Sequence, residues 1–363
     1  MDDHIQQAWQ FYRKLGSPKF ICAPMVDQSE LAFRMLTRKY GATLAYTPML
    51  HSRIMTESKS YKDEFFTTCP EDRPLFAQLC GHDPQILIKA ALIIQDQCDA
   101  IDINLGCPQG IARKGLYGAY LLEKREQVLT IVKELKQNIN VPVTCKIRVF
   151  KDRKKTLDLT KDIQQAGCSI LTVHGRTKEQ NKDFVGQCDW TIIAEIKQQL
   201  QIPVFANGGI YTWSDVERCL QETKVDAVMS SEALLENPAL FSGEIKDLND
   251  LAEEYMQFAK QYNARLSEIK GHLFKLLYTG LQIFTDLRSK LGSAKTYDEH
   301  LEVVIELKNK RANVPKEDKL GWYKRYQNFK QPQNNKDKNI QKLENIIQQQ
   351  DLLLQNNDPK QSE

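Results

Sequence analysis

Between residues 20 and 230, short apolar runs recur along the chain, and segments of helical period separate most of them. The runs are Phe20–Ala23, Thr43–Tyr46, Leu75–Gln78, Ala100–Asn104, Pro142–Val149, Ile170–His174, Pro203–Ala206 and Asp226–Met229. Each has the length of a buried strand. Asp83-Pro84 predicts a helix start, with aspartate as N-cap and proline in the first turn. Thr212-Trp-Ser-Asp215 predicts another through a capping box. Eight strands alternating with helices predict an α/β fold of the (β/α)8 TIM-barrel type. A doubly wound open sheet is the alternative. No Gly-x-Gly-x-x-Gly follows the first run, which counts against it.

Beyond about residue 245 the strand signal stops. Leu273, Leu276, Leu277, Leu281, Phe284 and Leu287 fall three and four apart and predict one helix with a single apolar stripe. Leu301, Val304, Ile305 and Leu307 predict a second. The chain thus divides into a barrel domain (1–245), a small all-helical domain (246–330) and a Gln/Asn-rich tail (331–363). The tail is predicted to be disordered, apart from an island of helical period around Ile340–Leu354.

Composition narrows the class. Hydrophobic content of 41% and charged content of 27% are those of a soluble globular protein. No apolar stretch approaches the roughly 20 residues of a membrane span. The start, Met1-Asp-Asp-His-Ile, lacks the pattern of a signal peptide, so no membrane partner is expected. Nine scattered cysteines, with no Cys-x-x-Cys pair and no Cys/His cluster, argue against disulfides and a metal site. They place the chain in a reducing compartment, the cytoplasm and also the nucleus. The net charge of +3 is uneven: residues 246–330 hold 16 Lys+Arg against 12 Asp+Glu, while residues 1–245 balance.

A (β/α)8 barrel builds its active site at the C-terminal ends of its strands. Here those ends are polar, small or proline. They carry Pro24-Met25-Val26, Gln78, Asn104 with Cys107, Lys146 with Arg148, His174 with Arg176, Asn207-Gly208-Gly209 and Ser231-Glu232. Loops after the seventh and eighth strands commonly cradle a phosphate with backbone N–H groups; two ordinary tight turns are the plainer reading. Lys146 and Arg148 share one strand face, which asks for an anion or electron-rich ring between them; salt bridges are the alternative. Cys107 stands at a strand tip, where a small apolar filler is the bland reading.

Ala23-Pro-Met-Val-Asp-Gln, Pro74-Leu-Phe-Ala-Gln78-Leu, Asp102-Ile-Asn-Leu-Gly-Cys-Pro108, Lys146-Ile-Arg148, Val173-His-Gly-Arg-Thr177 and Phe205-Ala-Asn-Gly-Gly209 match one family in order and spacing. The chain resembles the tRNA-dihydrouridine synthases over about residues 19–245. Tyr46-Thr-Pro-Met-Leu-His51 and Leu105–Ala112 resemble the eukaryotic subfamily acting on uridines 16 and 17 of the tRNA D-loop.

The resemblance implies an oxidoreductase that holds FMN, uses NADPH or NADH, works as a monomer and reduces the uracil C5=C6 bond. It implies Pro24, Met25, Val26, Gln78, Lys146 and His174 against the flavin ring. Asn207, Gly208, Gly209, Ser231 and Glu232 would lie at its phosphate. Cys107 would be the proton donor, and Asn104, Arg148 and Arg176 would contact substrate. Most of the family carries Gly-Arg where this chain has Ser231-Glu232, and a glutamate cannot grip a phosphate as arginine does. A free thiol, with a pKa of roughly 8.5, is mostly protonated near pH 7 as an acid must be, and nearby cations would tend to lower that value. For the tRNA partner, the expected contacts are a rim loop with Lys151, Arg153, Lys154 and Lys155, and the helical domain with Lys308, Lys310, Arg311, Lys324 and Arg325. Each basic cluster alone also reads as a solvated face. A flavin barrel for a free pyrimidine and a non-catalytic RNA-binding protein are the rival functions.

Overall fold

The structure is a computed structural model, and it describes residues 3–181 and 184–312 of the chain. Residues 313–363, which hold Lys324 and Arg325 of the expected helical domain and the whole expected tail, lie outside the described residues.

Nine strands form: β1 (Phe20–Cys22), β2 (Leu44–Tyr46), β3 (Leu50–His51), β4 (Leu75–Cys80), β5 (Ala100–Leu105), β6 (Val143–Arg148), β7 (Ile170–His174), β8 (Val204–Asn207) and β9 (Ala227–Ser230). All pairings are parallel. β1 pairs with both β2 and β9, and β2 pairs with β4, so eight strands close a ring. The expected (β/α)8 TIM barrel is therefore the fold. The two-residue β3 was not foreseen; it extends the ladder of β4 through Leu50 and His51. Asp83 caps the helix Pro84–Ile94 by accepting from Gln85 and Ile86 N–H groups, and Thr212 and Asp215 form the predicted capping box.

Side chains fill the barrel interior: Tyr46, Phe76, Phe205, Ile21, Leu44, Ile170 and Met229 are all buried there. A helix that the residue pattern did not announce, Asp3–Lys14, closes the lower mouth. Its Phe11 stacks on Phe76 at 5.9 Å, and Tyr12 meets Phe205 at 6.0 Å. The Tyr12 hydroxyl donates to the Asp226 carbonyl at 3.0 Å, which anchors the plug. The polar strand ends face the opposite, upper mouth.

After the barrel come the helices Leu248–Gln261, Leu266–Leu276, Tyr278–Ile283, Thr285–Ser293 and Tyr297–Arg311. The single stripe expected from Leu273 to Leu287 is split among three of them. The backbone leaves helical geometry at Phe284 (ψ 77°), so the apolar residues bend around one small core instead of running along one helix. Leu273, Leu276, Leu277, Leu281 and Leu287 are all buried. They belong to the same apolar cluster as Phe33 and Leu36 on the outer face of the barrel. Among the described residues no helix is long and apolar enough to cross a membrane.

Candidate active site

The upper mouth opens into a cavity of about 1370 Å³. Every residue singled out at the strand ends lines it: Pro24, Met25, Val26, Gln78, Asn104, Cys107, Lys146, Arg148, His174, Arg176, Asn207, Gly208, Gly209, Ser231 and Glu232. Strands place these side chains because residues at one ladder level face one point: Asn104 pairs in register with Lys146, and Arg148 with His174, which pairs with Asn207.

A buried polar chain runs beneath the cavity floor. Thr144 Oγ1 donates to Asp102 Oδ1 at 2.7 Å, and Gln78 Nε2 donates to Asp102 Oδ2 at 2.8 Å. Asn104 Nδ2 then donates to Gln78 Oε1 at 2.7 Å. Asn104 Oδ1 accepts from the N–H groups of Gly106 (3.2 Å) and Cys107 (3.0 Å). Asp102, which sequence reasoning gave no role, orients this whole chain, from the Gln78 amide to the loop carrying the thiol. Burial pushes its carboxyl up to about 6, against the pull of Gln78, Thr144 and Lys146.

The Cys107 thiol is half-buried at the cavity wall. Burial raises its pKa, outweighing the Gln109 N–H, Arg148 and Lys146, which pull it down. The cations do lower it as expected, but burial wins, and the thiol keeps its proton at neutral pH. Gly118 (φ +63°) holds the opposite side of the loop. A Cβ there would stand 2.6 Å from the Cys107 carbonyl oxygen, so only glycine allows this approach.

Four cations reach the cavity, and they differ in how they are used. Arg148 donates to backbone carbonyls of Gly106, Thr177 and Gln180 at 2.8–3.0 Å, tying the thiol loop to the loop after β7. Arg176 donates to the Gly186 carbonyl at 3.2 Å and to Tyr211 Oη at 3.0 Å. Its Nη1 lies 3.2 Å from His174 Nε2, which must therefore accept, leaving the imidazole proton on Nδ1. Burial and then Arg148, Lys146 and Arg176 drive the His174 pKa well down, so the ring is neutral. Lys275 arrives from the helical region. Lys146 makes no hydrogen bond or ion pair among the described residues. Burial, then Arg148, lowers its ammonium to about 8.

At the β8 end, Gly208 (φ +95°) and Gly209 (φ +76°) turn the backbone into the cavity. A Cβ on Gly208 would sit 2.6 Å from the His174 ring. The N–H groups of both glycines have no acceptor among the described residues. Trp190 Nε1 donates to the Gly208 carbonyl at 2.9 Å and fixes the turn. Glu232 opens onto the same end; burial raises its carboxyl against the pull of Arg176, Arg148 and Lys275.

The family model for dihydrouridine synthase (Dus) matches residues 21–320. This chain belongs to the dihydrouridine synthase family. A mouse "tRNA-dihydrouridine(16/17) synthase [NAD(P)(+)]-like" protein is 47% identical over 295 residues, 80% of this chain and 62% of the mouse protein. The fission yeast tRNA-dihydrouridine(16/17) synthase [NAD(P)(+)] is 47% identical over 302 residues, 79% of this chain and 76% of that protein. The budding yeast protein of that name is 42% identical over 315 residues, covering 82% and 74%. The chain thus spans less than two thirds of the mouse relative's length.

Other residues expected to touch RNA in this dihydrouridine synthase family member are placed away from the cavity. Lys151 and Asp152 form a bend, but Arg153, Lys154 and Lys155 belong to the helix Arg153–Gln165 and not to a loop, because Asp152 caps it by accepting from the Lys155 N–H. Arg153 is held by Asp189 (3.0 Å) and Glu195 (2.7 Å), Lys154 by Asp158 (2.5 Å). Lys155 lies over the Phe150 ring at 4.3 Å. Lys154 and Lys155 line a separate cleft of about 620 Å³ with Phe150, Arg125 and Lys161. Lys308 pairs with Asp250 and Glu253, Lys310 with Asp286 and Glu306, and Arg311 donates to Thr279 Oγ1. Among the described residues no cluster of His, Cys, Asp or Glu could hold a metal ion.

Sequence reasoning missed Asp102, Thr144, Gly118 and Lys275. The buried acid in Asp102-Ile-Asn104 was visible as a carboxylate inside an apolar run, two residues from Asn104 and so on its face of the strand. Lys275 carried no local signal.

Proposed function

We propose that this chain reduces the uracil C5=C6 bond of uridine in the tRNA D-loop, at position 16, 17 or both, to 5,6-dihydrouridine. FMN is the resident cofactor and NADPH or NADH the reductant. The observation that carries the reading is the Lys146 ammonium, which lines the cavity with Asp102 as a nearby negative charge but with no hydrogen bond or ion pair among the described residues. A buried cation of that kind is costly unless an electron-rich group meets it.

The residues fit FMN. Pro24, Met25 and Val26 offer an apolar edge, Gln78 an oriented amide, Lys146 a cation and His174 a neutral ring. Gly208, Gly209 and Ser231 offer backbone N–H groups for a phosphate, while Asn207, whose side-chain amide donates to the Met229 carbonyl, and Glu232 border that end. Bound there, FMN supplies the hydride that goes to uracil C6.

Cys107 supplies the other half of the reduction. Its Sγ–H gives a proton to C5, so that hydride and proton together saturate the bond. The thiolate left behind faces Lys146 and Arg148, whose charges stabilise it until solvent returns the proton. Asn104 holds the Cys107 N–H and turns the thiol toward the base. Asn104, Arg148 and Arg176 are the substrate contacts. A loop uridine leaves its stack at smaller cost than a paired base, which suits a D-loop target. Residues 246–330 serve as the tRNA-binding unit, joined by Lys151, Arg153, Lys154 and Lys155 outside the cavity, at the start of the helix Arg153–Gln165. The free cysteines suit the reducing cytoplasm.

The test is reconstitution. Protein loaded with FMN and given NADPH should form dihydrouridine at position 16 or 17 of unmodified tRNA and leave free uridine almost untouched. Equal turnover of free uridine would move the assignment to a free-pyrimidine reductase. Folded protein that takes up no FMN would overturn it.

A further inference from the structure

Met25–Gln28 of the loop Met25–Glu30 form one side of the cavity, and the helix Leu266–Leu276 from beyond the barrel grips the loop, with Tyr255 of the preceding helix Leu248–Gln261 helping at Glu30. Lys275 Nζ donates to Gln28 Oε1 and, at 2.9 Å, to the Gly271 carbonyl. Arg265, the N-cap of the helix Leu266–Leu276, donates to Asp27 Oδ1 at 3.0 Å. His272 Nε2 lies 2.9 Å from Glu30 Oε2, and Tyr255 Oη donates to Glu30 Oε1 at 2.9 Å. His272, Tyr255 and Glu30 are all buried, with His272 stacked on Phe33 at 4.3 Å.

Two further features show that the loop depends on this grip. Asp27 sits at φ +55°, a left-handed conformation uncommon for a non-glycine residue, though aspartate tolerates it better than most, and the bond from Arg265 holds its carboxylate there. Gly271 interrupts the helix where alanine would favour it, and a Cβ there would stand 2.6 Å from Gln28 Nε2. The helix therefore comes as close to Gln28 as a missing side chain permits.

We propose that the helix Leu266–Leu276 is a positioning element of the active site, holding Met25–Glu30 in place through Lys275, Arg265 and His272. Lys275 is its principal positioning residue. The part of the chain beyond the barrel thereby completes the cofactor side of the cavity as well as facing substrate. The consequence for flavin rests on the function proposed above; the consequence for the loop does not.

Hydrogen exchange on the cofactor-free full chain tests the loop directly. Gln28 and Ser29 N–H groups both donate to the Met25 carbonyl at 3.1 Å, so their exchange reports the loop's integrity. In Lys275→Met and Gly271→Ala these two amides should exchange about tenfold faster, the scale of one lost charge-assisted bond, while Ala100–Leu105 stays unchanged. Lys275→Arg should restore protection. FMN affinity, read by flavin fluorescence quenching, should fall about tenfold in the first two variants. Gly271→Ala should do this without a lower melting temperature, because alanine favours the helix; a merely structural defect would lower both. Wild-type exchange rates at Gln28 and Ser29 in both variants overturn the proposal. Faster exchange with unaltered FMN affinity overturns the positioning role. Wild-type protein that takes up no FMN overturns the function proposed above, and the exchange rates still decide whether the helix holds the loop.

Discussion

Lys146 and Lys308 carry the same head group in opposite circumstances. Lys308, on the helical region, lies 2.7 Å from Asp250 and 2.6 Å from Glu253, and these hydrogen bonds raise its pKa. Lys146, on the barrel floor, has no such partner among the described residues, and burial lowers its pKa to about 8. A paired surface cation is already satisfied, and a ligand must compete with its carboxylates for it. A cation at the cavity wall that no carboxylate touches is open to what enters the cavity. Counting basic residues therefore ranks these regions in the wrong order: the helical region has the larger excess, the barrel mouth the greater need.

Five experiments sharpen or break this contrast. The largest effect is expected at the proton donor that shares the cavity with Lys146. Cys107→Ala should lower dihydrouridine formation about 10²–10⁴-fold, the range of a lost general acid, while FMN and tRNA affinity hold. A fully active variant removes Cys107 from the reaction. Next, Lys146→Met should slow flavin reduction by NADPH about 10²–10³-fold, as loss of a preorganised electrostatic contact does. Normal reduction, measured by stopped-flow absorbance, would mean the lone cation has no ligand.

The pH dependence follows from two groups. Ionised Asp102 is the form that Gln78, Thr144 and Lys146 stabilise, and it loses its charge below about 6. Lys146 must be charged, and it loses its proton above about 8. FMN affinity measured against pH should therefore be flat between the two and fall on either side. The stability sign is opposite to that of a salt-bridged carboxylate. Asp102 binds its proton more tightly folded than unfolded, so its contribution is favourable at low pH and is lost as pH rises from about 4 to 6. Comparing denaturant unfolding of wild type and Asp102→Asn should expose a difference that grows by at most about 3 kcal/mol over that range. A difference independent of pH would show that Asp102 has an ordinary pKa.

The smallest effects are expected on tRNA affinity. Lys155 faces Phe150 and has no carboxylate partner, whereas Lys310 is paired with Asp286 and Glu306. Lys155→Glu should weaken tRNA binding several-fold and reduce its salt slope by about one. Lys310→Glu should change binding less and lower the melting temperature instead. The reverse ranking would show that internal pairing does not decide which cations RNA uses.

The barrel was legible because its signal is local. Apolar runs of strand length, each ending in polar or glycine-rich residues, set both the strands and their functional tips, and parallel closure then gathers those tips at one mouth. Phe284 could not be read in this way: its neighbours keep a helical spacing even though the chain turns there, because burial against a curved core rewards the same residues. The plug formed by Phe11 and Tyr12, the protonated state of Cys107, the solitude of Lys146 and the arrival of Lys275 depend on partners distant in sequence. Residue types and spacing determined which groups stand at the barrel mouth. Only the tertiary structure decided which are neutral, which are charged and which still lack a partner, because burial and charge pairing arise when distant segments exclude water from one another.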